Sequence, residues 1–209
     1  SLPAFFPYIV VAELAVAAGA DPDEYRRKLL AGNARFRDLL DLAAEKADWN
    51  RQLPDNWGRG IAIHRSFGSI VAQVLEVEIV NGKPVARRAI CAVDAGYAIH
   101  PDGLRAQMES GIIYGLTAAL YGEISIREGA VQQSNFHDYP MLRISEAPSI
   151  EAWIINSGEN LGGGGEPGTP AIAPALANAI FDATGRRIRE LPLKHYDLSQ
   201  PDLKSRVVA

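Results

Sequence analysis

The first fifty residues space their apolar positions as helices do. Apolar residues run to about Ala18, and a capped helix start follows at Asp21, where acidic side chains and a proline precede a basic stretch. The pattern predicts two or three helices: one to about Ala18, one from Asp21 to about Ala31 and one from about Arg35 to Asp48. We therefore expect residues 1–50 to form a helical segment.

Beyond this segment the pattern changes to that of strands. Three stretches are rich in β-branched residues: Ile61 to His64, Ile70 to Val80 and Val85 to Val93. Asn81-Gly82 separates the last two and is a strong signal for a two-residue hairpin turn. The stretch from Asn50 to Gly60 holds a proline and two glycines, and we predict that it is a linker.

After Pro101 the apolar residues return to helical spacing, and this helix is expected to end near Gly122. A second hairpin is predicted around Glu128-Gly129, and Ile150 to Ile155 is a further strand candidate. Strands that are joined by hairpins and interleaved with helices favour the α+β class, with a mainly antiparallel sheet packed on helices in two layers. This α+β domain is predicted to span residues 51–209.

Composition and charge narrow the classes of function. The chain has 209 residues, 47% of them hydrophobic, and a formal net charge of −4 with dispersed basic residues, so nucleic acid is not an expected partner. Its one cysteine, Cys91, can build neither an intrachain disulfide nor an iron–sulfur or CxxC zinc site. The four histidines are widely separated, which leaves no protein metal site visible. No run is long and apolar enough to predict a transmembrane segment.

One loop carries the strongest candidate chemistry. Residues 162–165 are glycines, Glu166 and Pro167 follow, and a helix is predicted from near Pro174 to Gly185. Glycines let backbone come close to a ligand, so they can present a single carboxylate on a rigid loop. The alternative is a flexible connection, because glycine runs are more often linkers and this one is neither a P-loop nor a dinucleotide motif.

The same loop begins a longer string that resembles a known family. GGGGEPGTPAIAPALANAIFDATGRRIRELPL, from residue 162, is similar to the C-terminal end of the molybdenum-cofactor subunit of the xanthine dehydrogenase and aldehyde oxidase superfamily. The resemblance is closest to the large (β) subunit of isoquinoline 1-oxidoreductase-like enzymes. Three further strings agree with it: GRGIAIHRSFGSIVAQV at 58–74, CAVDAGYAIHPDGLRAQMESGIIYGLTAALYGEI at 91–124 and QSNFHDYPMLR at 133–143.

The resemblance implies a molybdopterin-binding domain of an oxidoreductase. Family members oxidise an aldehyde or a carbon next to a ring nitrogen, with oxygen from water, at a molybdenum that a pterin holds, commonly in its cytosine dinucleotide form. By this resemblance Glu166 is the general base, and Gln107, Gly163, Gly164 and Gly165 bind the cofactor. No protein side chain holds the metal, and the iron–sulfur clusters lie on a partner, a small [2Fe-2S] subunit.

Two departures from the family leave an alternative open. Ser110 stands where the family more commonly has the second residue of Glu-Gly-Gly, and the family's glutamine-bearing MGQG segment does not occur. We expect that segment upstream of Ser1, with any export signal, so the sequence indicates no compartment. The chain is then expected to need the rest of the large subunit and to be inactive when isolated. The alternative is a non-catalytic domain that keeps the fold and serves assembly or small-molecule binding.

Overall fold

The computed structural model describes residues 2–199, so Ser1 and the last ten residues of the predicted domain, 200–209, lie outside the described residues. The helices are α1 (Leu2–Ala17), α2 (Pro22–Leu29), α3 (Ala34–Lys46), α4 (Pro101–Leu120) and α5 (Ile172–Thr184). The strands are β1 (Trp57–Ser66), β2 (Ser69–Val80), β3 (Lys83–Asp94), β4 (Ile126–Arg127), β5 (Ala130–Val131) and β6 (Ser149–Ile155). Two short 3-10 helices are Ile144–Glu146 and Leu193–His195. The class is α+β, as predicted.

The main sheet has the strand order β1-β2-β3-β6. Its first three strands form an antiparallel meander. The turn between β2 and β3 is Asn81-Gly82, whose φ angles of 49° and 72° are the left-handed values that the hairpin signal predicts. β6 joins β3 in parallel, because the chain passes through α4 and a long connection before it returns to the sheet. The sheet is therefore mainly antiparallel, with one parallel edge pair.

The sheet buries both of its faces, because alternate side chains along each strand enter opposite cores. On one face, Leu39 and Leu40 of α3 pack with strand residues such as Ile63 and Ile90. On the other face, α1, α4 and α5 share one core with the sheet. The sheet and the helices that follow it form the expected two layers, and α3 adds a layer on the second face.

β1 begins earlier than predicted, at Trp57, so the linker assigned to Asn50–Gly60 is shorter. Gly58 and Gly60 lie within this strand and face α5. A Cβ atom on Gly60 would overlap the backbone carbonyl of Ala175, and one on Gly58 would overlap α5 in the same way. These two glycines therefore permit a close helix–strand contact and do not form a turn.

The region between α4 and β6 has little regular structure. The second predicted hairpin is present around Glu128-Gly129, where both residues have positive φ. Its strands β4 and β5 have only two residues each, and all four are exposed. A hairpin without a core to pack against is marginal, which explains why its strands are so short.

The first helix, α1, is apolar on more than one side. Phe5 and Ile9 enter the core shared with α5, whereas Phe6, Val10 and Leu14 are exposed. Among residues 2–199 no single helix has the length and apolar character to cross a membrane. Among these residues, α1 and α2 taken together are long and apolar enough, but a bend of 111° separates them, and the criterion concerns length and composition alone.

Candidate active site

The glycine loop, residues 158–171, connects β6 to α5 and crosses the end of the sheet where β3 and β6 finish. The hydroxyl of Ser69 donates to the carbonyl of Gly163 at 2.7 Å, and the amide of Gly163 donates to the carbonyl of Phe67 at 2.7 Å. The amide of Gly162 donates to the carbonyl of Ala95 at 3.0 Å. Hydrogen bonds to two strand ends thus hold the loop in place, so it is not a free connection.

At most glycines of this loop a side chain would not fit, whereas a positive φ is not the reason for the glycine. None of the four consecutive glycines has a positive φ. A Cβ atom on Gly163 would lie 2.9 Å from the Cβ of Phe67, and one on Gly164 would lie 3.1 Å from a methyl carbon of Leu104. Gly165 differs, because no atom lies within 4 Å of the position that its Cβ would take. Gly165 is therefore open to the close approach of another molecule.

A cleft of about 400 Å³ separates the glycine loop from α4. The lining residues are Phe67, Ser110, Gly111, Tyr114, Gly165, Glu166, Thr169 and Pro170. Beneath the cleft a Cβ atom on Gly111 would lie 3.2 Å from the Cα of Gly168, so loop and helix meet through their backbones. One wall of the cleft is therefore built from backbone and small side chains, with Tyr114 and Phe67 supplying aromatic surface.

Glu166 occupies the first position of a tight turn, in which the amide of Thr169 donates to the Glu166 carbonyl at 3.0 Å. Pro167 and Gly168 are buried behind it. The Glu166 side chain is exposed, lines the cleft and makes no hydrogen bond or ion pair with the described residues, 2–199. The turn thus fixes the backbone while the carboxylate stays free to meet a ligand.

Only some of the other predicted site residues line the same cleft as this carboxylate. Gly165 lines the cleft beside Glu166. Gly163 and Gly164 belong to the same loop but pack against neighbouring side chains. Gln107 is exposed on α4, one turn before Gly111, and does not line the cleft. The structure thus brings Gly165 and Glu166 together in the cleft and places Gln107 outside it.

Gln73 supports the cleft from beneath, and sequence reasoning missed it. It lies in β2, is fully buried, and its Nε2 donates to the carbonyl of Gly168 at 2.7 Å. Its Oε1 has no partner among residues 2–199. The signal that could have found it is a polar residue within the otherwise apolar run from Ile70 to Leu75, because a buried polar group is more informative than a buried apolar one.

Asp94 is a second buried polar residue that the sequence analysis did not single out. Its carboxylate accepts hydrogen bonds from the amide of Gly96 at 2.8 Å and from Ser157 Oγ at 2.9 Å, and it pairs with Arg35 of α3. Burial acts to raise the pKa of Asp94, but the hydrogen bonds from Arg35, Gly96 and Ser157 outweigh it, so the pKa lies below its usual value. Asp94 thereby connects α3 to the strand ends that carry the glycine loop.

Histidine and cysteine have structural roles near the site. The Nδ1 of His100 accepts a hydrogen bond from the amide of Gly103 at 2.7 Å and caps the start of α4. Burial raises the pKa of Cys91 to about 12, although a hydrogen bond from Gln73 acts in the other direction, so the thiol is not a nucleophile. Within residues 2–199, no group of three or more His, Cys, Asp and Glu side chains is placed to hold a metal ion.

Exposed apolar side chains lie in the cleft and on the segments that adjoin it, and we call these five residues the apolar rim. Phe67 and Tyr114, which line the cleft, are 63% and 66% exposed. Leu161, in the glycine loop, is 63% exposed, and Tyr97 and Ile99 on the adjoining segment are 60% and 77% exposed. Exposed apolar residues that lie on adjoining segments, unlike those scattered singly, mark a surface that binds another molecule.

Comparison with known proteins places this chain in a family. The chain belongs to the molybdopterin cofactor-binding domain family, whose sequence model matches residues 13–148. It is 36% identical over 190 residues to the β subunit of isoquinoline 1-oxidoreductase from Brevundimonas diminuta, a match that covers 88% of this chain and 24% of that protein. It is 35% identical over 201 residues to one of the subunits of nicotinate dehydrogenase from Pseudomonas putida, covering 87% of this chain and 17% of that one. The family resemblance expected from the sequence is confirmed, and the chain spans about a quarter or less of these relatives' length.

Solved structures support the same fold. Quinoline 2-oxidoreductase from Pseudomonas putida 86 superimposes with a TM-score of 0.53 and 19% identity, over 60% of this chain and 17% of that one. Aldehyde oxidoreductase from Desulfovibrio gigas gives a TM-score of 0.52 and 20% identity, over 60% of this chain and 15% of that one. At this level of identity the likeness concerns the fold alone.

Proposed function

We propose that this chain is the C-terminal portion of a molybdenum hydroxylase large subunit, which oxidises an aldehyde or a carbon of an N-heterocycle with oxygen derived from water. Glu166 is its general base. The proposal is carried by the Glu166 carboxylate, which faces an open cleft beside Gly165 without an internal hydrogen bond or ion pair among residues 2–199. A free carboxylate on a fixed turn can accept a proton from a group bound in the cleft.

The residues around the cleft fit a molybdopterin cofactor. Gly165 has open space at its Cβ position, and Ser110 adds a hydroxyl to the wall. Gly163, Gly164 and Gly165 would approach the cofactor through their backbone. Gln107, on α4 outside the cleft, would donate hydrogen bonds to the cofactor and accept hydrogen bonds from it. We assign the cytosine dinucleotide form. When bound, the cofactor supplies the oxidation–reduction chemistry that no side chain here provides.

The surrounding residues set the position of Glu166 and the shape of the substrate site. The Thr169 amide and the Gln73 side chain hold the turn on which Glu166 stands. Phe67 and Tyr114 give the cleft aromatic surface, which suits a flat small-molecule substrate. Positioning by a fixed turn allows the carboxylate to act without a costly rearrangement.

The proposal includes two partners. The cleft that residues 2–199 form is open and its apolar rim is exposed, so the rest of the large subunit would cover the rim and complete the cofactor site. The matched relatives are several times longer than this chain, which supports such a remainder. Electrons would leave through a small [2Fe-2S] subunit, because the single cysteine, Cys91, is buried and cannot hold a cluster.

The test is Glu166→Gln in the complete assembly. Glutamine keeps the size of the side chain but cannot accept a proton at neutral pH. We expect the rate of substrate oxidation to fall by about 10²–10⁴-fold while molybdenum content and melting temperature stay unchanged. All three quantities are measured on the same preparation.

Glu159→Gln is the matched control, since Glu159 is an exposed glutamate on the same loop and does not line the cleft. It should keep full activity. Near-normal turnover of Glu166→Gln would remove Glu166 from the mechanism. A joint loss of cofactor, stability and activity would instead assign Glu166 to holding the loop. A native assembly without molybdenum would favour the non-catalytic domain.

A further inference from the structure

A second pocket, of about 330 Å³, lies at the other end of α5 from the glycine loop. Its walls come from α1, the start of α2, the connection before β1, β1 itself and the C-terminal half of α5. We call it the arginine pocket because Arg26, Arg51, Arg59 and Arg187 line it. Its volume is in the range of small-molecule sites, and it has no residue in common with the Glu166 cleft.

Two of these arginines have no carboxylate partner among residues 2–199. Arg26 is 2% exposed, and its guanidinium donates only to the carbonyls of Pro22 and Tyr8, at 2.9 and 3.0 Å. Arg187 lies over the ring of Phe181, 3.2 Å from the ring centre, and makes no hydrogen bond or ion pair with the described residues. An ionised group removed from water without a counter-charge is unfavourable.

The ionisable side chains that line the pocket are mostly basic. Arg51 and Arg59 share a single carboxylate, that of Glu76, at 2.6 and 3.3 Å. Asp21 and Asp182 complete the polar wall, and each already accepts a hydrogen bond from within the chain. Four arginines but only two aspartates therefore line the pocket itself.

The two arginines without a carboxylate partner also share a lowered pKa. Burial lowers the pKa of Arg26 and of Arg187 to about 10, and the nearby carboxylates offset this only in part. Glu13, the carboxylate that acts on Arg187, is already bound by Arg189. An anion inside the pocket would therefore meet the guanidinium of Arg187, whose N–H groups make no hydrogen bond with residues 2–199.

We propose that the arginine pocket binds a small organic carboxylate with an apolar body. A guanidinium stacked on an aromatic ring keeps its N–H edge free, and that edge matches the two oxygens of a planar carboxylate, so Arg187 is the primary contact. Val16, Leu53 and Phe181 supply apolar wall for the rest of the ligand. One free guanidinium edge suits a monoanion better than a dianionic phosphate. The proposal does not depend on the function of Glu166.

Benzoate, benzamide and inorganic phosphate are the probes, titrated into the 209-residue chain and followed by ligand-detected NMR. We expect benzoate to bind, and the other two to bind at least about tenfold more weakly, because benzamide lacks the charge and phosphate lacks the apolar body. Arg187→Met keeps an apolar stem without the charge and should raise the Kd for benzoate at least about tenfold. Arg186→Met is the matched control, since Arg186 lies over Tyr196 outside the pocket and should leave the Kd unchanged.

Val16→Trp tests the location without changing a charge. It fills the apolar wall and should abolish benzoate binding, so the proposal remains testable if Arg187→Met fails to fold. Benzoate binding retained in the folded variants would overturn the proposal. Equal binding of benzamide or phosphate would overturn it as well, as would the lack of any benzoate binding to the wild-type chain at millimolar concentration.

Discussion

Gln73 shows how one buried amide can set the position of a functional loop. Its Nε2 reaches out of the sheet and binds the carbonyl of Gly168, two residues after Glu166. The turn that presents the Glu166 carboxylate is therefore tied to the middle of β2, and not only to its own neighbours. The stiffness of the core is transmitted to the candidate base through a single hydrogen bond.

We expect Gln73→Leu to loosen this turn. The substitution leaves the buried carbonyl of Gly168 without its donor, but it also removes the unpaired Oε1, so the net loss in free energy of unfolding should be about 1–2 kcal/mol. The amide of Thr169 should exchange with solvent faster. Denaturant unfolding and hydrogen exchange measure the two effects, and Gln52→Leu, at an exposed position, is the control. Unchanged exchange at Thr169 would show that Gln73 does not hold the loop.

At the scale of single residues, the sequence indicates a residue that glycine and proline flank, but it does not indicate the contacts of a buried polar residue. Glu166 stands out because glycines and a proline surround it. Gln73 and Asp94 do not stand out, since each lies in or at the end of an apolar stretch of strand, where the pattern indicates burial but not the hydrogen-bond partners. The role of Gln107 came only from the family resemblance, and it remains a prediction.

The contact of α5 with β1 leaves no room for a side chain at two positions of the strand. Gly60→Ala should lower the free energy of unfolding by about 1–3 kcal/mol or more, because the added methyl would overlap the backbone at Ala175 and Ala179, which cannot rotate away. Denaturant unfolding measures the loss. Gly32→Ala is the matched control, since nothing lies within 4 Å of its Cβ position. Equal stabilities of the two variants would contradict the account of this contact.

Elements with a strong period or a specific turn were predictable, and elements set by distant contacts were not. The hairpin at Asn81-Gly82 and the helix after Pro101 follow from local chemistry alone. The start of β1 was misplaced because Gly58 and Gly60 have the composition of a turn, and only the position of α5 shows their purpose. The parallel pairing of β6 depends on where a long connection returns, which no local pattern encodes.

For the whole molecule, the exposed apolar rim of the cleft is the main consequence of the fold. We expect the 209-residue chain to bind a hydrophobic fluorescent dye or to self-associate, and the double substitution Ile99→Ser with Leu161→Ser to reduce either effect. Ile144→Ser is the control, because Ile144 is 97% exposed but lies near the other end of α4. A wild-type chain that stays monomeric and binds no dye would contradict this prediction.

The glycines of this protein also bear on how related sequences should be interpreted. Gly58 and Gly60 leave no room for a side chain against α5, whereas Gly165 has open space around it. Selection on the first two would preserve a distance between backbones, and selection on the third would preserve access for something from outside the chain. Invariance in an alignment would look the same at all three positions. Only at Gly165 would it be a record of ligand binding.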